Sequence, residues 1–122
     1  DKYEPVSGSF VNGKFTSGEN IGDLGGINVA YTALQMYLKD HGNPGEISGF
    51  TQDQRFFMSW ATVWRTKSTD KYMTNQVKTD PHSPGYYRSI GPLVNMDAFQ
   101  KAFEIRHGDK LYVGPEKRIK IW

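Results

Sequence analysis

Apolar residues recur along this chain mostly at three- and four-residue intervals, the period of a helix with one covered face. Ile27, Ala30, Tyr31, Leu34 and Leu38 form the longest such stripe. It predicts a helix over 17–41, stopped by Gly42-Asn43-Pro44-Gly45, with a connecting loop over 42–50. Thr51-Gln52-Asp53-Gln54 has the pattern of a capping box. The helix it opens, over about 51–65, carries Phe56, Phe57, Trp60, Ala61, Val63 and Trp64 and has the composition of a packed core helix. A third helix is expected over about 69–78, capped by Ser68 and turning Tyr72, Met73 and Val77 inward. A fourth is expected over about 96–104, capped by Asn95, with Met96, Phe99 and Phe103 inward.

Period-two alternation is nearly absent. Ser9-Phe10-Val11 and Lys14-Phe15-Thr16 flank Asn12-Gly13, a strong two-residue turn signal, and so predict a short N-terminal hairpin. Residues 1–8 are polar and are expected to be a mobile lead-in. Residues 105–122 are expected to be an irregular tail with a Pro115-Glu116-Lys117 turn, and the final Trp122 suggests an end that packs. The fold class is therefore mainly α, divided into a lead-in over 1–16 and a helical part over 17–122.

The 122 residues suit one domain or one lobe of a larger one, and 37% hydrophobic content is enough to build a core. The net charge of +2, with no basic run interleaved with aromatics, gives no reason to propose nucleic acid as a partner. Cysteine is absent, which excludes disulfides and thiolate metal sites within the chain and leaves the redox compartment unread. No apolar run is long enough to span a bilayer. The start at Asp1, without an initiator methionine, suggests a fragment or processed product.

The chemistry concentrates at Ser17-Gly18-Glu19-Asn20-Ile21-Gly22-Asp23-Leu24-Gly25-Gly26. Glu19 and Asp23 stand four residues apart, so a helix points both carboxylates to one side. One such acid can bind a metal while the other orients a neighbouring ligand, although the spacing alone equally describes a solvated helix face. Thr16 and Glu19 fit a capping box that would put Glu19 in the first turn, where the helix dipole favours a carboxylate. Each of Gly18, Gly22, Gly25 and Gly26 costs a helix about 1 kcal/mol relative to alanine, which suggests a smooth face for close approach of another backbone. Further along, Asp80-Pro81-His82-Ser83-Pro84-Gly85 holds a histidine on a stiff loop.

Glu19-Asn20-Ile21-Gly22-Asp23-Leu24-Gly25-Gly26 resembles the Glu-Asn-Ile-Ala-Asp-x-Gly-Gly motif of the neprilysin and endothelin-converting-enzyme family of zinc metallopeptidases, with Gly22 in place of alanine. Thr79-Asp80-Pro81-His82-Ser83-Pro84-Gly85 with Arg88 resembles that family's Thr-Asp-x-His-Ser-Pro-Gly-x-x-Arg motif. Gly91-Pro92-Leu93-x-Asn95 with Phe99 and Phe103, and the stretch from Pro115 to Trp122, resemble its following segments in the same order. Arg65, Ile105 and Ile119 stand where vertebrate members carry cysteines, which points to a bacterial-type member.

The resemblance implies the helical C-terminal subdomain of a thermolysin-like (gluzincin) catalytic lobe in a zinc metalloendopeptidase. It implies Glu19 as a zinc ligand, and Asp23 as the carboxylate that holds a zinc-binding histidine. His82 would stabilise the oxyanion, with Asp80 supporting it, and Arg88 would hydrogen-bond a substrate peptide carbonyl. The family's His-Glu-x-x-His helix is absent, and His41, His82 and His107 are too far apart in sequence to replace it. The expected partners are the N-terminal remainder of the polypeptide, whose missing helix would pack on the glycine face, and peptide substrates. The isolated piece is expected to be inactive, to hold zinc weakly if at all, and to self-associate or be marginally stable. The resemblance suggests a cell-envelope, periplasmic or secreted location. The alternative is a stand-alone helical protein-interaction module without catalysis.

Overall fold

Five α-helices and two short 3-10 turns make up the computed structural model, which describes residues 3–121. Helix α1 spans Gly13–His41, α2 Gln52–Val63, α3 Asp70–Thr79, α4 Gly85–Ile90 and α5 Asp97–Ala102. The 3-10 turns are Leu93–Asn95 and Pro115–Lys117. The mainly α expectation holds.

The N-terminal hairpin does not form, because Asn12 does a different job. Its backbone is extended and its side chain accepts from the Phe15 N–H, so Asn12 is the cap of α1 and not a turn residue. A two-stranded ribbon is marginal on its own, whereas an asparagine cap satisfies a helix donor outright. The helix thus starts a turn earlier than the apolar stripe indicates. The Thr16–Glu19 capping box falls with this shift. Thr16 is a buried interior residue whose hydroxyl donates to the Asn12 carbonyl (3.1 Å), and the first turn of α1 holds no acid. The lead-in is not loose from Tyr3 onward. The Tyr3 ring stacks on Tyr87 (4.3 Å), and its carbonyl accepts from the buried Val11 N–H.

The capping box of α2 forms as expected. Thr51 Oγ1 accepts from the Gln54 N–H, and Gln54 Oε1 accepts from the Thr51 N–H. Helix α3 is capped by Thr69, one residue past the expected Ser68, and Tyr72 faces out while Val77 is buried. Asn95 is not the cap of α5. Its amide donates to the Gly91 carbonyl and its oxygen accepts from the Ile119 N–H, so it ties the tail to the body. The packed end expected at Trp122 lies outside the described residues.

The core forms where α1 crosses α2 and α5. Leu24 and Ile27 of α1 meet Phe57 of α2, Leu93 and Met96 of the following turn, and Phe99 of α5. Tyr31 stacks on Phe57, and Phe57 meets Phe99 edge to face (5.4 Å). Ala30, Ala61 and Val63, which the pattern turns inward, are exposed. The opposite side of α1 bears a second stripe of small and apolar residues, Gly18, Gly22, Gly26, Val29, Ala33 and Met36, all exposed. A Cβ added at Gly18, Gly22 or Gly26 would meet nothing within 4 Å. Gly25, in contrast, is buried.

Candidate functional site

Three pairs of side chains cross between the N-terminal half of α1 and the segment running from residue 80 into α4. The first joins Glu19 to His82, with Oε2 3.1 Å from Nε2. The second joins Asn20 to Ser83, whose buried hydroxyl donates to Asn20 Oδ1 at 2.8 Å. The third joins Asp23 to Arg88 through two hydrogen bonds of 2.7 Å, from Nε to Oδ2 and from Nη2 to Oδ1. Helix α1 supplies its partners at i, i+1 and i+4, so they project from adjacent turns of one helix.

The histidine loop is built to aim its ring. Asp80 ends α3, and its Oδ1 accepts from the His82 N–H (2.9 Å) and lies 2.7 Å from His82 Nδ1. An aspartate bonding the backbone two residues on is a local turn in itself. Ser83 and Pro84 are buried behind it, so the ring projects from an anchored base. Both ring nitrogens face carboxylates, so both contacts are hydrogen bonds when the ring carries both protons. The backbone bond from His82, then the bond from its ring, hold the Asp80 carboxyl below its usual titration range.

The pairs differ in their access to water. The side chains of Glu19 and His82 are 46% and 43% exposed, whereas those of Asp23 and Arg88 are 10% and 13% exposed. Helices α2 and α4 enclose Arg88. Its guanidinium carbon lies 4.0 Å from the centre of the Trp64 ring, and its backbone carbonyl accepts from Trp60 Nε1 at 3.1 Å. The hydrogen bonds to Asp23 raise the Arg88 pKa further, so it is a cation at every relevant pH.

All five residues singled out in the sequence, Glu19, Asp23, Asp80, His82 and Arg88, therefore meet at one seam. His41 and His107 do not approach it; His41 stacks on Tyr37 at the far end of α1, and His107 meets Tyr112 in the tail. Among the described residues no group of three or more His, Cys, Asp or Glu side chains is arranged to hold a metal ion. Sequence reasoning missed the roles of Asn20, Ser83, Trp60 and Trp64. Asn20 and Ser83 directly follow Glu19 and His82, and that adjacency was the available signal. The tryptophans carried none beyond the aromatic pattern of a core helix.

Glu19 and Asp23 of α1 thus face His82 of the loop after α3 and Arg88 of α4, so one helical lobe lines up acids, a histidine and an arginine along a single seam. The sequence model of Peptidase family M13 matches residues 1–119, and the chain belongs to that family. It is 39% identical over 122 residues to neprilysin of Homo sapiens, covering 98% of this chain and 16% of neprilysin. It is 40% identical over 129 residues to the endothelin-converting enzyme homolog of Locusta migratoria, covering all of this chain and 17% of that protein. The crystal structure of the Mycobacterium tuberculosis zinc metalloprotease Zmp1 with an inhibitor superposes with a TM-score of 0.89 at 43% identity, covering 98% of this chain and 18% of that one. The chain thus spans about a sixth of the length of the curated relatives it matches.

Proposed function

We propose that this chain is the C-terminal part of the catalytic lobe of a zinc-dependent metalloendopeptidase, and that it brings one metal ligand and the transition-state and substrate contacts to a site completed by the rest of the polypeptide. The observation that carries this reading is the Glu19–His82 pair, which puts a metal-type carboxylate and an anchored imidazole side by side on an open surface.

Zinc fits this seam in part. Glu19 offers a half-exposed carboxylate of the type that zinc accepts at about 2.0–2.2 Å, and it is a single donor, so the remaining ligands come from elsewhere in the polypeptide. The glycine-lined outer face of α1, which borders Glu19, is where the helix bearing them packs. Zinc, when bound, supplies Lewis-acid polarisation and water activation. Asp23 uses one lone pair of each oxygen on Arg88 and keeps another on each for the ring N–H of a metal-binding histidine. His82, held by Asp80, presents Nε2 to the oxyanion that forms as the peptide carbonyl is attacked, a contact where one donor is worth about 3 kcal/mol. Arg88 has Nη1 free of the Asp23 fork to donate to a substrate carbonyl. The location carried by the resemblance is the cell envelope, periplasm or exterior; no helix among the described residues is long and apolar enough to cross a membrane.

The test is Glu19→Ala in the full-length protein. Metal analysis and peptide-cleavage assays are expected to show loss of both zinc and hydrolysis. A variant that keeps stoichiometric zinc overturns the assignment. The 122-residue chain alone is expected to show negligible cleavage, and sub-micromolar zinc binding by it in calorimetry counts against the reading.

A further inference from the structure

The structure assigns a role to two tryptophans one turn apart in sequence: Trp64 and Trp60 form a platform that fixes the direction in which Arg88 presents its free donors. This inference rests on the reading of Arg88 as a substrate contact.

Arg88 is held on three sides. Asp23 grips the Nε edge of the guanidinium, and two bonds of that kind fix its plane but allow it to tilt as a unit about the carboxylate. The Trp64 ring lies 4.0 Å from the guanidinium carbon and opposes that tilt from one face. Trp60 Nε1 donates to the Arg88 backbone carbonyl at 3.1 Å and so anchors the stem. The two indoles meet edge to face at 5.6 Å, which couples the anchors.

Two further observations separate this arrangement from ordinary core filling. The first is the Trp64 indole N–H, which is buried and has no hydrogen-bond partner among the described residues. A buried donor without a partner carries a cost that phenylalanine at the same position would avoid. What tryptophan adds is the strongest π face for a cation. The second is the contact between the end of α2 and the start of α4. A Cβ at Gly85 would come 3.0 Å from the Trp64 carbonyl and 3.1 Å from Thr66 Oγ1. Gly85 therefore lets α4 press its first turn onto the backbone of Trp64, and that approach brings Arg88, three residues on, over the ring.

Trp64 and Trp60 are thus positioning residues, acting on substrate through Arg88. The experiment is a double-mutant cycle in the full-length peptidase with Trp64→Leu, Arg88→Met and the pair, measuring KM and kcat on a peptide substrate. Trp64→Leu is expected to raise KM by about 5- to 30-fold with a smaller change in kcat, as loss of one well-placed cation–π contact predicts. In the Arg88→Met background the same change is expected to add less than about 2-fold. Trp64→Phe, which keeps a weaker π face and the fold, is expected to fall between wild type and leucine. Equal effects of Trp64→Leu in both backgrounds overturn the inference and leave Trp64 a packing residue or a direct wall of the substrate site. The same cycle read as shifts in apparent melting temperature is expected to be non-additive without any turnover, and additive shifts overturn it as well. A wild-type protein that cleaves no peptide sinks the functional reading instead, and the melting cycle still decides the platform.

Discussion

Two side-chain pairs leave the same helix one turn apart and experience opposite environments. Glu19 and His82 are nearly half exposed and meet through a single contact. Asp23 and Arg88 are almost sealed, share two bonds, and lie against Trp64. An open pair gains little from its own attraction, typically 0–1 kcal/mol even when both groups are charged, because water competes for both. A sealed pair has given up its water, so each partner depends on the other. The open pair can therefore exchange partners at low cost, as the metal-ligand and oxyanion-donor roles proposed for it require. The sealed pair keeps its geometry, as the directed contacts proposed for Arg88 and Asp23 require.

Substitutions separate the two pairs. The largest effect on function is expected from Glu19→Ala, with zinc and hydrolysis lost together in the full-length protein, while the unfolding free energy of the metal-free protein changes by less than about 1 kcal/mol. Asp23→Ala is expected to behave in the reverse manner. Leaving Arg88 enclosed without its partner is expected to cost about 2–4 kcal/mol in denaturant unfolding, and zinc affinity to fall by about 10–100-fold without vanishing. Equal stability losses in the two variants would erase the distinction between the pairs. Between them stands the Asn20–Ser83 rung. Ser83→Ala is expected to cost about 0.5–1.5 kcal/mol and to speed hydrogen exchange over 80–84, because it frees the loop base and spares the pairs on either side.

The smallest effect concerns acid. Asp80 titrates lower in the folded chain than in the unfolded one, so its contribution is complete at neutral pH and is lost as pH falls through the carboxylate range below about 4. Asp97 shifts the same way, chiefly through its bond from Arg118. Acid unfolding monitored by circular dichroism is expected to show Asp80→Asn with a weaker pH dependence below about 4 than wild type. An unchanged slope would mean that the His82 contacts do not hold Asp80.

Much of this was legible one residue at a time. Phe56 and Phe57 lie where the helical period puts a core, and the Thr51–Gln54 box closes as its spacing requires. Errors arose where one residue had two local uses. Asn12 suits a turn and a helix cap equally, and tertiary packing of Val11 and Thr16 selected the cap. Asn95 suits a cap and a tail anchor, and Ile119 decided between them. Helix α4 was missed because six residues are too few to display a period.

Local chemistry along the chain determined the helical class, the breaks at 42–45 and 80–85, and the five charged or titratable residues worth watching, because capping, turn preference and apolar spacing act over a few neighbours. Only the folded molecule decided which of those five residues face each other. Glu19 and His82 are 63 positions apart (82 − 19), and Asp23 and Arg88 are separated by 65. Their pairing follows from packing α1 against α2, α4 and α5, which no short-range preference encodes. That packing also left one pair to solvent and enclosed the other, because enclosure depends on neighbours that arrive from distant parts of the chain.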